Sequence, residues 1–259
     1  MSNLPSPDQP IYRPASTSSA PIIILLVLLA CSVPTIGILA GLLLPAIQQA
    51  REAARRMSCS SNIRQLGIAL LNYESAYKSF PPAYTVDSQG NKLHSWRTLI
   101  LPFVEQTALY EKIDLSKPWD DPVNAFALSQ PIPIYSCPST PVLIDRIGYT
   151  TYKVIVDSSS IFPGSTGRKL AEITDGTSNT VLVIETDLQS AVHWMDPSDA
   201  SMAEYMSIGS SPQNKTAHFG GAHVLMSDCS VRFLSDQTDP VTKEAMATAA
   251  GKEVINNFE

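Results

Sequence analysis

The apolar positions of this chain are distributed unevenly, and the densest run lies near the start. Residues 22–47 read IIILLVLLACSVPTIGILAGLLLPAI, and no side chain from Pro21 to Gln49 is charged. About 20 apolar residues suffice for a helix to cross a bilayer. Only a helix or a closed barrel satisfies its backbone there, and this run lacks strand-like alternation. The pattern predicts one membrane-spanning helix over residues 21–47, bent where Pro34 and Pro45 each remove a hydrogen bond. Two other readings use the same residues. A cleaved signal peptide has a shorter apolar core behind basic residues, whereas Arg13 alone precedes this longer run. Leu28-Leu29-Ala30-Cys31 loosely resembles a lipobox, but Val33 to Leu44 stays apolar where a polar linker is expected. Cys31 reads instead as a small residue within the span. Residues 1–20, rich in Pro and Ser, predict a disordered tail.

Beyond the run the apolar spacing stays helical to Lys78. Ala46, Ala50, Ala53 and Met57 form one stripe; after a phase slip, Ile63, Leu66, Leu70, Tyr73 and Tyr77 form another. Arg51, Glu52, Arg55 and Arg56 fall toward the polar side. The expectation is a helix whose first half lies in lipid and whose second half packs on a domain, ended by Pro81-Pro82. Trp96 to Ile113 also has helical spacing, interrupted by Pro102. Gly148–Asp157 and Thr180–Thr186 read as strands. Ala222–Met226 and Ser230–Leu234 read as a hairpin, and Pro240–Ala250 as a terminal helix. A helix first and strands later, without βαβ alternation, predicts an α+β fold.

Charge sharpens this division. The net charge of −6 conceals five basic and two acidic residues over 51–78, against 12 basic and 21 acidic over 79–259. An acidic domain repels phosphate backbones, which argues against nucleic acid as a partner. It suits a solvated surface on an exported domain, with divalent-cation binding as the alternative.

Segments in a fixed order carry a family resemblance. They are LLLPAIQQAREAARRMSCSSNIRQLGIALLNYESAYKSFPPA (42–83), SWRTLILPFVEQTALYEKIDLSKPWDDPVN (95–124), YSCPST (135–140), ITDGTSNTVLVIE (173–185) and HFGGAHVLMSDCSVRFL (218–234). The chain resembles the DUF1559 family, pilin-like proteins abundant in planctomycete bacteria. The resemblance implies a long N-terminal helix packed on an antiparallel β-sheet, an enlarged globular part and no established enzymatic activity. It marks Asp175, Gly176, Thr177, Ser178, Asn179, Thr180, His218 and Asp228 as family-motif residues. It also implies a disulfide between Cys59 and Cys137, which would tie a loop to the helix in an oxidising compartment and leave Cys229 unpaired. Two departures stand out. Ser19-Ala20-Pro21 replaces the prepilin-like start, and the apolar run lacks the glutamate that registers pilin subunits. In the H-x9-DG motif, Cys229 takes the place of a glycine suited to a turn with positive φ.

Candidate chemistry is sparse. His218, His223 and Asp228 stand five residues apart, matching no standard zinc spacing. A turn before His223 means the two imidazoles need not converge, so a structural role within the hairpin is expected for His218. His94 and His193 are the remaining histidines. Asp175 to Thr180 reads first as a turn in which Asp and Asn cap backbone groups. Oxygens at Asp175 and Asn179 also suggest weak Ca²⁺ binding, although the acidic set of an EF-hand is missing. No nucleophile elbow, P-loop or dinucleotide fingerprint is present.

The functional expectation is a non-catalytic, single-pass pilin- or pseudopilin-like protein of the cytoplasmic membrane. Its C-terminal domain, residues 48–259, is expected outside the cytoplasm. Its partners would be membrane lipid and self-associating or other pilin-like subunits. Arg51, Arg55 and Arg56 oppose this orientation under the positive-inside rule; the disulfide and the resemblance favour it. The alternative is an anchored binding module for an ion or a glycan that does not polymerise.

Overall fold

The computed structural model describes residues 20–140, 147–208 and 216–251. It divides into two compact units, one ending at Arg51 and one beginning at Glu52. The first carries the N-terminal part of helix α1 (Ala20–Tyr77). The large apolar side chains described there, among them Ile23, Leu25, Leu42 and Leu44, are exposed. The expected tail, apart from Ala20, lies outside the described residues, as do the side chains of residues 29–40 in the middle of the expected span. Among the described residues, no helix is long and apolar enough to cross a membrane.

The second unit is α+β. After the end of α1 come β1 (Tyr84–Val86), β2 (Lys92–Ser95), α2 (Trp96–Leu99), α3 (Thr107–Tyr110) and α4 (Ala125–Leu128). These are followed by β3 (Tyr149–Thr150), β4 (Tyr152–Lys153), β5 (Ile155–Val156), β6 (Val181–Glu185), β7 (Val192–His193) and β8 (Ala200–Ser201). Helix α5 (Met202–Ser207), the hairpin β9 (Gly221–Met226) and β10 (Val231–Ser235), and α6 (Pro240–Ala247) complete it. The main sheet has the antiparallel order β10-β9-β6-β4, and the described residues also form three two-stranded sheets, β1-β2, β3-β7 and β5-β8.

Both faces of this sheet are covered. Val183 and Leu225 join Ile63, Leu66 and Leu70 of α1 in one core. Ile184, Val224, Met226 and Leu234 join Tyr205 and Met246 in the other. Burial on two sides explains why β6 and β9 read as nearly continuous apolar runs rather than alternating ones. Gly67 makes the close approach of α1 possible, since a Cβ there would stand 2.9 Å from Leu225 Cδ2 and 3.0 Å from Cys229 Sγ. Arg97 ties the unit together from inside. Fully buried, it pairs with Asp199 at 2.8 Å and donates to the carbonyls of Tyr152, Trp194, Asp196 and Ser198.

Several expectations need correction. The docked stripe of α1 is Cys59, Ile63, Leu66, Leu70 and half-buried Tyr73, while Met57 is 75% and Tyr77 63% exposed. Ala46, Ala50 and Ala53 are also exposed. One and two turns up the docked stripe stand Arg56 and Glu52, so the apolar pattern pointed to the wrong face where polar side chains make the contacts. The single strand expected over Gly148–Asp157 is three short ones, because each pairs with a different partner, β7, β6 or β8. Trp96–Ile113 is short helical turns, broken at Ile100, with Pro102 opening the next turn, and at Glu105, whose φ is +62°. Helix α1 ends at Tyr77, ahead of Pro81-Pro82, with Lys78 at φ +63° as a left-handed cap. The hairpin and the terminal helix form within a few residues of their expected bounds.

Candidate functional site

A polar cluster lies where α1 crosses the end of the main sheet. Register explains its strand members. Ile184 pairs with Val224, so Glu185, the last residue of β6, stands beside His223 of β9. His223 in turn pairs with Phe233 of β10, their rings 5.6 Å apart edge to face. Side chains two apart share a sheet face. Glu185 therefore follows Val183, and His223 precedes Leu225, on the side facing α1.

His218 arrives from the loop before β9. Thr216 Oγ1 lies 2.8 Å from the His218 carbonyl and 2.6 Å from that of Gly221, folding the loop onto the strand. Gly220 has φ +83° and Gly221 φ +157°, and a Cβ on Gly221 would collide with the Leu234 carbonyl. These two glycines let the chain turn tightly enough to set His218 beneath α1. The imidazoles of His218 and His223 meet with centroids 4.5 Å apart, nearly perpendicular. The expectation that they need not converge is thus overturned: the turn before β9 brings them together.

Glu185 is the centre. Its Oε2 lies 3.4 Å from His218 Nε2, 3.3 Å from His223 Nδ1 and 3.4 Å from the His223 backbone N–H. Its Oε1 has no hydrogen-bond partner. Glu185, at 0% exposure, His218 and His223 are all buried. Burial pushes the Glu185 carboxyl up, but the hydrogen bonds and charges of the two imidazoles outweigh it and hold it below the usual carboxylate value.

Helix α1 supplies the roof. Glu52 Oε1 lies 3.7 Å from His218 Nδ1 and accepts from Ser139 Oγ at 3.1 Å, while its other oxygen pairs with Arg55 at 2.7 Å. Arg56 donates to the Phe219 carbonyl at 3.3 Å and lies over the Phe233 ring. One turn further on, Cys59 forms the expected disulfide with Cys137. Both cysteines are buried, and Cys137 Sγ is 3.7 Å from His218 Nε2. Tyr152 Oη donates to the Cys59 carbonyl at 3.4 Å. Among the described residues, Cys59, Cys137, Glu185 and His218 bring four potential ligand atoms within 4.8 Å of one another. With these burials, no substrate reaches Glu185 unless the elements part.

The remaining motif residues lie elsewhere. Asp228 sits in the β9–β10 turn, where its carboxylate accepts from the Ser230 N–H and its own N–H donates to the Thr177 carbonyl. Cys229 holds φ +65° there, a left-handed conformation that suits glycine. Asp175 Oδ2 accepts from the Gly251 N–H at 2.6 Å, and Asn179 Nδ2 donates to the Asp175 carbonyl. Thr180 Oγ1 donates to the Gly176 carbonyl. Thr177 and Ser178 complete this turn, whose polar groups bind its own backbone and the chain after α6. Of the two residues read as a weak Ca²⁺ set, Asp175 turns a carboxylate oxygen to the Gly251 N–H, and Asn179 makes its contact through its amide nitrogen.

Sequence reasoning singled out His218 and both cysteines but missed Glu52, Arg56 and Glu185. The available signal for Glu185 was an acid closing the apolar run VLVI. For Glu52 and Arg56 it was their position seven and three residues back from Cys59.

No curated protein and no solved structure matches the chain. The profile of the family described as "Protein of unknown function (DUF1559)" matches residues 48–216. That stretch covers α1 from beyond the apolar run, the disulfide and Glu185, and the chain belongs to this family.

Proposed function

We propose that the protein is a non-catalytic, pilin- or pseudopilin-like envelope protein, anchored in the cytoplasmic membrane by its N-terminal helix and presenting the second unit outside the cytoplasm. The observation that carries this reading is the buried Cys59–Cys137 disulfide. Such cross-links persist in oxidising compartments and are rare in the cytosol. Exposed Ile23, Leu25, Leu42 and Leu44 on the first unit support lipid as its surroundings. A helix leading into an antiparallel sheet suits the pilin-like class. A reporter that folds only outside the cytoplasm, fused after Glu259, tests the orientation. Activity in the membrane fraction is expected, and activity confined to a cytosolic reporter refutes the reading.

One observation favours the binding-module alternative. An open groove of about 770 Å³ beside α1 places the amides of Asn62, Gln65 and Gln106 near Phe103 and Ile134. Amides beside an aromatic ring suit a glycan's hydroxyls and apolar faces. Shearing cells separates the two readings: sheared filaments containing the chain favour assembly, and a chain left wholly on the membrane favours binding.

A further inference from the structure

We propose that the chain, with its disulfide reduced, holds one zinc ion between Cys59, Cys137, His218 and Glu185, and that oxidation of the two cysteines closes this site. The proposal does not depend on the membrane anchor. It rests on the convergence of four donors of the right chemistry from α1, the 135–140 segment, β6 and the loop before β9.

The geometry is close to what zinc requires. With bonds of about 2.3 Å to sulfur and 2.0–2.2 Å to nitrogen and oxygen, donors on a tetrahedral zinc stand roughly 3.4–3.8 Å apart. Here His218 Nε2 is 3.7 Å from Cys137 Sγ and 3.4 Å from Glu185 Oε2. Two edges of the tetrahedron thus already have suitable lengths. The sulfur–sulfur edge does not, because the sulfurs are bonded; reduction frees them to separate. Glu185 Oε1 is buried without a partner, a lone pair with no present use.

Supporting groups are also in place. A zinc-bound histidine commonly donates its second N–H to a carboxylate, which fixes the ring. Glu52 Oε1 stands 3.7 Å from His218 Nδ1, opposite the nitrogen that faces the sulfurs. His223 donates to Glu185 from both its ring and its backbone, orienting the carboxylate. Two thiolates and an imidazole select a borderline-soft ion over the oxygen-seeking Ca²⁺ or Mg²⁺.

The chemistry balances with a phosphine as reductant. The phosphine gives two electrons to the S–S bond and takes the oxygen of one water, becoming a phosphine oxide. The two hydrogens of that water end on the sulfurs, giving two thiols. Zinc then displaces both thiol protons, and the His218 proton moves from Nε2 to Nδ1, which frees Nε2 to bind and turns an N–H toward Glu52.

The test uses the full-length chain in detergent with Cys31→Ser and Cys229→Ser, so that only the pair supplies thiols. After phosphine reduction and its removal, Co²⁺ serves as a coloured probe. The expected result is one Co²⁺ per chain, with sulfur-to-cobalt charge-transfer absorption that zinc abolishes and that the oxidised chain lacks. His223→Gln, which removes only a support of Glu185, should weaken zinc binding about 10- to 100-fold. His218→Gln should weaken it more. A reduced chain without charge-transfer absorption, or one whose affinity is unchanged by His218→Gln and Glu185→Gln, overturns the proposal. Should those variants fail to fold, the unsubstituted pair decides by itself. Equimolar zinc should slow reoxidation of Cys59 and Cys137 at least about tenfold while the near-ultraviolet circular dichroism stays native-like; unchanged reoxidation overturns the proposal.

Discussion

His218 Nε2 lies 3.4 Å from Glu185 Oε2, and both side chains are sealed from solvent. The contact joins the loop before β9 to the end of β6, and α1 closes over it through Glu52. A carboxylate accepts but does not donate, so the facing nitrogens of His218 and His223 both carry protons. Replacing Glu185 by Gln puts an amide, itself a donor, among three N–H donors and leaves at least one buried group mispaired. We expect a loss of about 1–3 kcal/mol in unfolding free energy, read as a lower urea midpoint with an unchanged m-value.

Loss of the Cys59–Cys137 link should cost more. The disulfide closes a loop of 78 residues' separation between α1 and the 135–140 segment. Cys59→Ser with Cys137→Ser should lower stability by about 2–5 kcal/mol, chiefly by freeing the unfolded chain. Denaturant titration without reductant measures it, and the parent chain treated with reductant should show a comparable loss.

Acid should weaken the second unit at two of its histidines. His193 Nε2 donates to the Leu128 carbonyl at 3.0 Å, while its Nδ1 accepts from the Met195 N–H at 3.2 Å. Adding a proton at Nδ1 would set it against that N–H. Burial lowers the pKa of His193 and of His94, overcoming carbonyl contacts that oppose it. A group lowered on folding contributes stability that is complete above its unfolded value, about 6.5 for histidine, and is lost as pH falls through the folded one. The thermal midpoint should thus be flat from pH 7.5 to 7 and decline below about 6.5. His193→Gln should flatten part of that decline.

Much of the fold was legible because its elements carry local signals. The step from Ile63 to Leu66 to Leu70 is a helix face on any scale, and VLVI before Glu185 is a strand buried on both sides. The hairpin at Asp228 was readable from its turn. What stayed hidden depends on contacts distant in sequence. Glu52 lies 166 positions from His218, and nothing near either announces the other. The same blindness set Met57 inward and Glu52 outward: an apolar-stripe argument assumes that a docked face is greasy, and here its first turns are polar.

Cys229 offers a test of backbone strain. With φ +65°, Cys229 holds a conformation that costs a non-glycine residue about 1–2 kcal/mol. Its half-buried thiol, close to Gly67, offsets part of this. Cys229→Gly should raise stability by about 0.5–1 kcal/mol, seen as a higher thermal midpoint.

The most direct measurement of the account traps thiols in intact cells with a permeant alkylating agent, then maps the peptides of the chain recovered from each fraction. A membrane-bound chain with its Cys59 and Cys137 peptides still joined is the predicted result. Separately alkylated Cys59 and Cys137, or recovery of the chain in the detergent-free supernatant, would contradict it.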